Sequence, residues 1–162
     1  MATWQYDLSL IPCSKVLEQY GSVPQNIEYE DFNRVKWWEG GSLPSNILTT
    51  LDTFFPRITH WHKNTQGWGR EDSDFIEITF TNEDLSDIFI RIDVRNINLN
   101  FLKKITELAK NCNCFLVSME WLKIITPNVS LLLEDIKDSA ANRFAKNPDE
   151  FFDELARSKT LH

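Results

Sequence analysis

Only three cysteines occur among the 162 residues, an odd number, with two of them in "CNC" at 112–114. That excludes a disulfide framework and points to a reducing, cytoplasmic location. Long apolar runs are missing too. None approaches the about 20 residues that cross a bilayer, so no membrane association is expected. The opening "MATWQYDLSLIP" has neither a basic start nor an extended apolar stretch, which argues against a secretory signal. Catalytic signatures are also lacking: the chain holds no G-x-S-x-G, P-loop, G-x-G-x-x-G or H-E-x-x-H. The expectation is therefore a protein that is not an enzyme and carries no cofactor.

Hydrophobic residues make up 42% and charged residues 25%, which suits one globular domain spanning 1–162. Aromatics reach 12%, with six tryptophans, more than a core of this size requires, so some are expected to face a groove or a partner. The net charge of −7 is concentrated. Between residues 71 and 93 stand Glu71, Asp72, Asp74, Glu77, Glu83, Asp84, Asp87 and Asp93 against Arg91 alone, and the rest of the chain is neutral.

Hydrophobic periodicity outlines the elements. "TWQYDLSLIP" alternates as a strand ending at Pro12, and "SKVLEQYG" reads as a helix capped by Ser14 and stopped by Gly21. A helix is predicted in "SLPSNILTTLDTFFP" from Ile47, Leu48, Leu51, Phe54 and Phe55, with residues 57–74 mostly loop. "FIEITF" and "DIFIRIDVR" alternate on either side of a polar turn, the pattern of a β-hairpin. Asn98 caps a helix with Phe101, Leu102, Ile105, Leu108 and Ala109 inward, and "CFLVSM" is a buried strand. Asn128 or Ser130 opens a helix running past Ala140 to Phe144. A last helix starts at Asn147, Pro148 and Glu150 and docks through Phe151, Phe152 and Leu155. The fold class is α+β. The order is β-α-β-β-α-β, ferredoxin-like, with an insertion after the first strand and two extra C-terminal helices. It implies an antiparallel sheet with helices on one face, with the second hairpin strand interior and the first hairpin strand at an edge.

On the outward face of "DIFIRIDVRN" stand Arg91, Asp93 and Arg95, with Glu77 available across the hairpin. The row fits a self-neutralising ladder. It also fits an anchor for carboxylate or phosphate, and with His60 and His62 it makes an alternative pocket for a small molecule or a hydrolytic reaction. The acids Glu71, Asp72, Asp74, Glu83, Asp84 and Asp87 read either as solubilising protection of a sheet edge or as a docking surface for a basic partner. Trp37, Trp38, Trp61 and Trp68 lie in irregular segments and are candidate anchors for such a partner, with core packing under long loops as the alternative. His60 and His62 could join Cys112 and Cys114 in a zinc site, but both pairs have one intervening residue where zinc sites usually have two or more, and no metal is expected. Acidic loops would repel phosphate backbones, so nucleic acid is not an expected partner.

"WQYDLSLIP", "WWEGG", "RIDVR" and "SAANRF" together resemble the small cytoplasmic immunity proteins encoded beside bacterial polymorphic toxins. That resemblance implies a non-enzymatic inhibitor that binds a cognate, basic toxin domain. It carries over no individual functional residue.

Overall fold

The computed structural model describes residues 3–59, 63–146, 149, 153, 156 and 157. Strand β1 (Gln5–Pro12) passes directly into helix α1 (Cys13–Tyr20), and helices α2 (Tyr29–Arg34) and α3 (Ile47–Phe54) follow. Four strands come next: β2 (Arg57–Ile58), β3 (Thr65–Gly69), β4 (Phe75–Thr81) and β5 (Asp84–Asp93). Then come helix α4 (Leu99–Asn111), strands β6 (Cys114–Ser118) and β7 (Ile124–Ile125), and helices α5 (Val129–Asp138) and α6 (Ala140–Lys146). The seven strands form one antiparallel sheet in the order β2-β3-β4-β5-β1-β6-β7.

The class is α+β, as the alternation and helical spacing predict, but the element order is not the simple β-α-β-β-α-β. Three further strands, β2, β3 and β7, widen the sheet on both sides. Strand β5 is interior as expected, whereas β4 is not an edge, because β3 pairs along its length. Residues 57–74 therefore hold two short strands, β2 and β3, between the loop stretches that the sequence predicts. "TQGWG" hides its strand because glycines replace the alternating side chains. Gly69 is required there: its φ is +99°, and an added Cβ would sit 2.4 Å from the Asp74 carbonyl oxygen.

One face of the sheet is apolar. In register across four strands lie Trp68, Ile76, Ile90 and Leu8, with Ile78 opposite Ile88 and Tyr6 opposite Ile92. All are buried. Helices α3, α4 and α5 cover this face. The Trp68 indole donates to Asp52 of α3 at 2.8 Å, Phe55 meets Phe101 of α4 edge-on at 5.2 Å, and the Tyr6 hydroxyl donates to Asp135 of α5 at 2.5 Å. The hairpin core of Ile76, Ile78, Ile88, Ile90, Ile92 and Val94 is as the period of two requires.

Local signals account for most helix ends. Asn98 accepts from the Phe101 amide and Asn128 from the Leu131 amide, both as side-chain caps. Gly21, at φ +71°, closes α1 through its amide to the Leu17 carbonyl. Helix α1 begins at Cys13 with Pro12 at the cap position, not at Ser14. The helix expected to run from 128 to 144 is broken at Ser139, whose backbone is extended. The Ser139 hydroxyl donates to the Ile136 carbonyl and accepts from the Asn142 amide, ending α5 and starting α6 with one side chain. The predicted contacts of the terminal helix, with Asn147, Pro148, Glu150, Phe151, Phe152 and Leu155, lie outside the described residues.

The hairpin turn is two residues long. Asn82 and Glu83, at φ 51° and 69°, sit between the paired Thr81 and Asp84. Two positive φ values in succession match the twist of a tight hairpin. A register shift follows, with Ser86 as the extra residue.

Candidate functional site

The second face of the sheet is polar, and its charges are largely neutralised within the fold. Arg91 does not pair with Asp93. It reaches across to β1, where its Nε and Nη2 donate to the two oxygens of Asp7 at 2.9 and 3.3 Å. The guanidinium also lies 5.3 Å from the rings of both Phe75 and Phe89. Arg95 instead pairs with Asp93, at 2.9 and 2.7 Å, and stacks over Trp4 at 4.2 Å. The Arg95 guanidinium holds the Asp93 carboxyl below the usual aspartate range. Glu77 faces Phe89 in the register, not an arginine. Arg91, Asp93 and Arg95 are thus two separate ion pairs, and none of the three lines the cleft described below. His60 and His62, their proposed companions, lie outside the described residues.

The acidic segment is also divided. Glu71 and Asp72 are exposed in the β3–β4 connection, whereas Glu83 and Asp84 are exposed at the β4–β5 turn. Seven residues of β4 separate the two groups, about 20 Å of strand. They do not form one patch. Asp74 turns inward and accepts from the Asp93 amide at 2.7 Å, and burial pushes its carboxyl up.

Three of the four candidate anchor tryptophans are buried. Trp37, Trp38 and Trp68 are 8%, 5% and 0% exposed. Their indole N–H groups donate to the Phe32 carbonyl, the Leu10 carbonyl and the Asp52 carboxylate. Such side chains have little remaining apolar area to bury against a partner. Trp61 lies outside the described residues. The aromatic surface is offered by Trp121 and Tyr29, 70% and 75% exposed, which the sequence did not single out.

The cysteines meet at the end of β1. Cys114 pairs with Pro12 in the sheet, and the Cys13 amide donates to the Asn113 carbonyl. Asn113, at φ 53°, is the left-handed residue that lets the chain leave α4, which explains the "CNC" spacing. Burial pushes the Cys112 thiol up to about 11 and raises Cys114 further. Among the described residues, no three His, Cys, Asp or Glu side chains are grouped to hold a metal ion, and no helix is long and apolar enough to cross a membrane.

A cleft of about 880 Å³ opens at one end of the polar face. Its floor is Ser9 of β1 with Asp87 and Phe89 of β5. Phe32 of α2 and the turn carrying Trp37 and Trp38 form one wall, and the hairpin tip with Asp84 forms the other. Ser9 and Asp87 are 78 positions apart, so no local pattern announces them. The Ser9 hydroxyl lies 3.1 Å from the Asp87 carboxylate and 3.4 Å from the Ile88 carbonyl. Burial raises the Asp87 carboxyl above the usual aspartate range, against the pull of Ser9 and the Ile88 backbone.

That shift has a sign. The folded chain holds the Asp87 proton more tightly than the unfolded chain does, so this group favours folding at acid pH. The contribution is lost as pH rises through its raised titration point. Asp87→Asn keeps a partner for Ser9 and removes the desolvated charge. It is expected to raise Tm by a few degrees at pH 7 and to leave it near wild type at about pH 3, where aspartates are largely protonated. Thermal melts at both pH values check this, and a lower Tm at pH 7 would contradict it.

Comparison with protein-family models, curated proteins and solved structures returned no match for this chain.

Proposed function

We propose that the chain is a non-enzymatic binding protein of immunity type that captures and blocks a basic toxin domain, with the hairpin tip and its cleft as the docking surface. One observation carries this reading: Glu83 and Asp84 are exposed on the turn that forms a wall of the concave cleft, and Asp87 lies on its floor. A basic partner approaching that end meets carboxylates at increasing depth. Exposed charges steer encounter over a Debye length of about 8 Å at physiological salt, while contacts inside the concavity set the dissociation rate.

Replacing Glu83 with Gln and Asp84 with Asn is expected to slow association several-fold at low salt, to flatten its salt dependence, and to change stability by under about 1 kcal/mol. The measurement is surface-binding kinetics against the protein encoded by the adjacent gene, at two salt concentrations. An unchanged association rate at low salt removes the steering role. Absence of any complex at micromolar concentrations overturns the docking reading.

The cleft volume also favours a second reading, a small-molecule site, because it falls in the range of ligand pockets. That site is the Ser9–Asp87 cleft, not the row of Arg91, Asp93 and Arg95. Binding of a neutral metabolite-sized compound with no effect of the rim acids would support it.

A further inference from the structure

We propose that the cleft is a binding site for an organic cation, a guanidinium or alkylammonium group, which enters against the aromatic wall and pairs with Asp87. In the docking reading, on which the source of the cation rests, it is an arginine or lysine side chain of the partner.

The partly buried aspartates show what Asp87 lacks. Asp7 pairs with Arg91, Asp31 with Arg34, Asp93 with Arg95 and Asp135 with Lys123. Among the described residues, only Asp74 and Asp87 of this group have no cationic partner. Asp74 gives its oxygen to the Asp93 amide and does not line the cleft. Asp87 does line it, and its side-chain partner is a neutral hydroxyl. A desolvated carboxylate whose donors, the Ser9 hydroxyl and the Ile88 backbone, are both neutral retains lone pairs for a charged donor, and such a pair is stronger than one between neutral groups.

The same sheet face already displays the completed arrangement. On β1 and β5, Asp7 and Arg91 form a two-point pair with the guanidinium against the Phe89 ring. Two residues along each strand Ser9 stands opposite Phe89, and two residues further on β5 Asp87 meets the Ser9 hydroxyl, a carboxylate beside the same ring with the cation missing. At this step the chain opens a cleft instead of supplying an arginine. Phe32 and Phe89, both half-buried on the lining, suit the methylene stem and planar head of such a side chain. The charged groups facing Asp87 across the cleft are Asp84 on the hairpin tip and Lys36 and Glu39 on the opposite wall. Lys36 is exposed and makes no ion pair among the described residues. The two acids outweigh it, so the local charge favours a cation.

The test uses the full chain and N-acetyl-arginine methylamide, with the uncharged citrulline analogue as control. Binding is read from the indole N–H resonances of Trp37 and Trp38. The arginine probe is expected to shift both saturably, with Kd about 1 mM for a single side chain. The citrulline probe should fail to saturate. Asp87→Asn should weaken arginine binding at least tenfold, whereas Asp74→Asn leaves it unchanged. Lowering the pH should weaken it as Asp87 gains its proton. Equal shifts from both probes, shifts confined to other tryptophans, or full binding by Asp87→Asn would overturn the site. Binding of the free cation without capture of the adjacent gene product would overturn the partner as source and retain the cation site. If the partner does bind, Asp87→Asn should speed its dissociation without changing its low-salt association rate. Capture that is indifferent to Asp87→Asn would keep the docking reading and remove the cation site.

Discussion

Ile90→Ala is expected to lower folding stability by about 2–5 kcal/mol, the range for deleting a large buried aliphatic side chain and leaving a cavity. Ile90 has no exposed surface and sits on β5 with Leu8 in register on one side and Ile76 on the other. Neighbouring Ile88 and Ile92 are equally buried, and helices cover the face, so the backbone around the site cannot collapse to refill the space. Chemical denaturation with the m-value monitored is the measurement. A loss well below about 1 kcal/mol would mean that the apolar face does not contain Ile90.

Arg91→Met is expected to cost about 3–5 kcal/mol, because it leaves a buried carboxylate without its cation. The Asp7 side chain is only 2% exposed, and Arg91 reaches both of its oxygens. Converting the pair together, Asp7→Leu with Arg91→Met, is expected to recover most of that loss, since two apolar side chains need no charge compensation. A double-mutant cycle in denaturant measures the coupling. A single-variant loss under about 1 kcal/mol, or no recovery in the double variant, would show that the pair behaves as a surface bridge.

The row of Arg91, Asp93 and Arg95 illustrates how far strand periodicity reaches. Alternation correctly separates these side chains from the isoleucines between them. It cannot say which strand lies alongside, and β1 rather than β4 brings the carboxylate that Arg91 takes. The charge count behaves similarly. Eight acids in 23 residues are visible in the sequence, but β4 carries Glu71 and Asp72 to one end and Glu83 and Asp84 to the other. The tryptophans in irregular segments had two readings, and for Trp37, Trp38 and Trp68 packing prevails because each indole N–H finds an internal acceptor.

Short-range physics determined the caps at Asn98 and Asn128, the stop at Gly21 and the apolar face of the hairpin. Each depends on residues within a few positions of one another, and the sequence alone displays those spacings. Strand β3, the break at Ser139 and the inward turn of Asp74 depend on partners elsewhere in the chain. The cleft is the extreme case. Ser9 and Asp87 acquire meaning only when β1 inserts beside β5 and the Trp37–Trp38 turn stands over them. Burial, which raises the Asp87 carboxyl and leaves it facing an aromatic wall, is a property of the assembled sheet, because removing water from a side chain requires neighbours that sequence distance does not reveal.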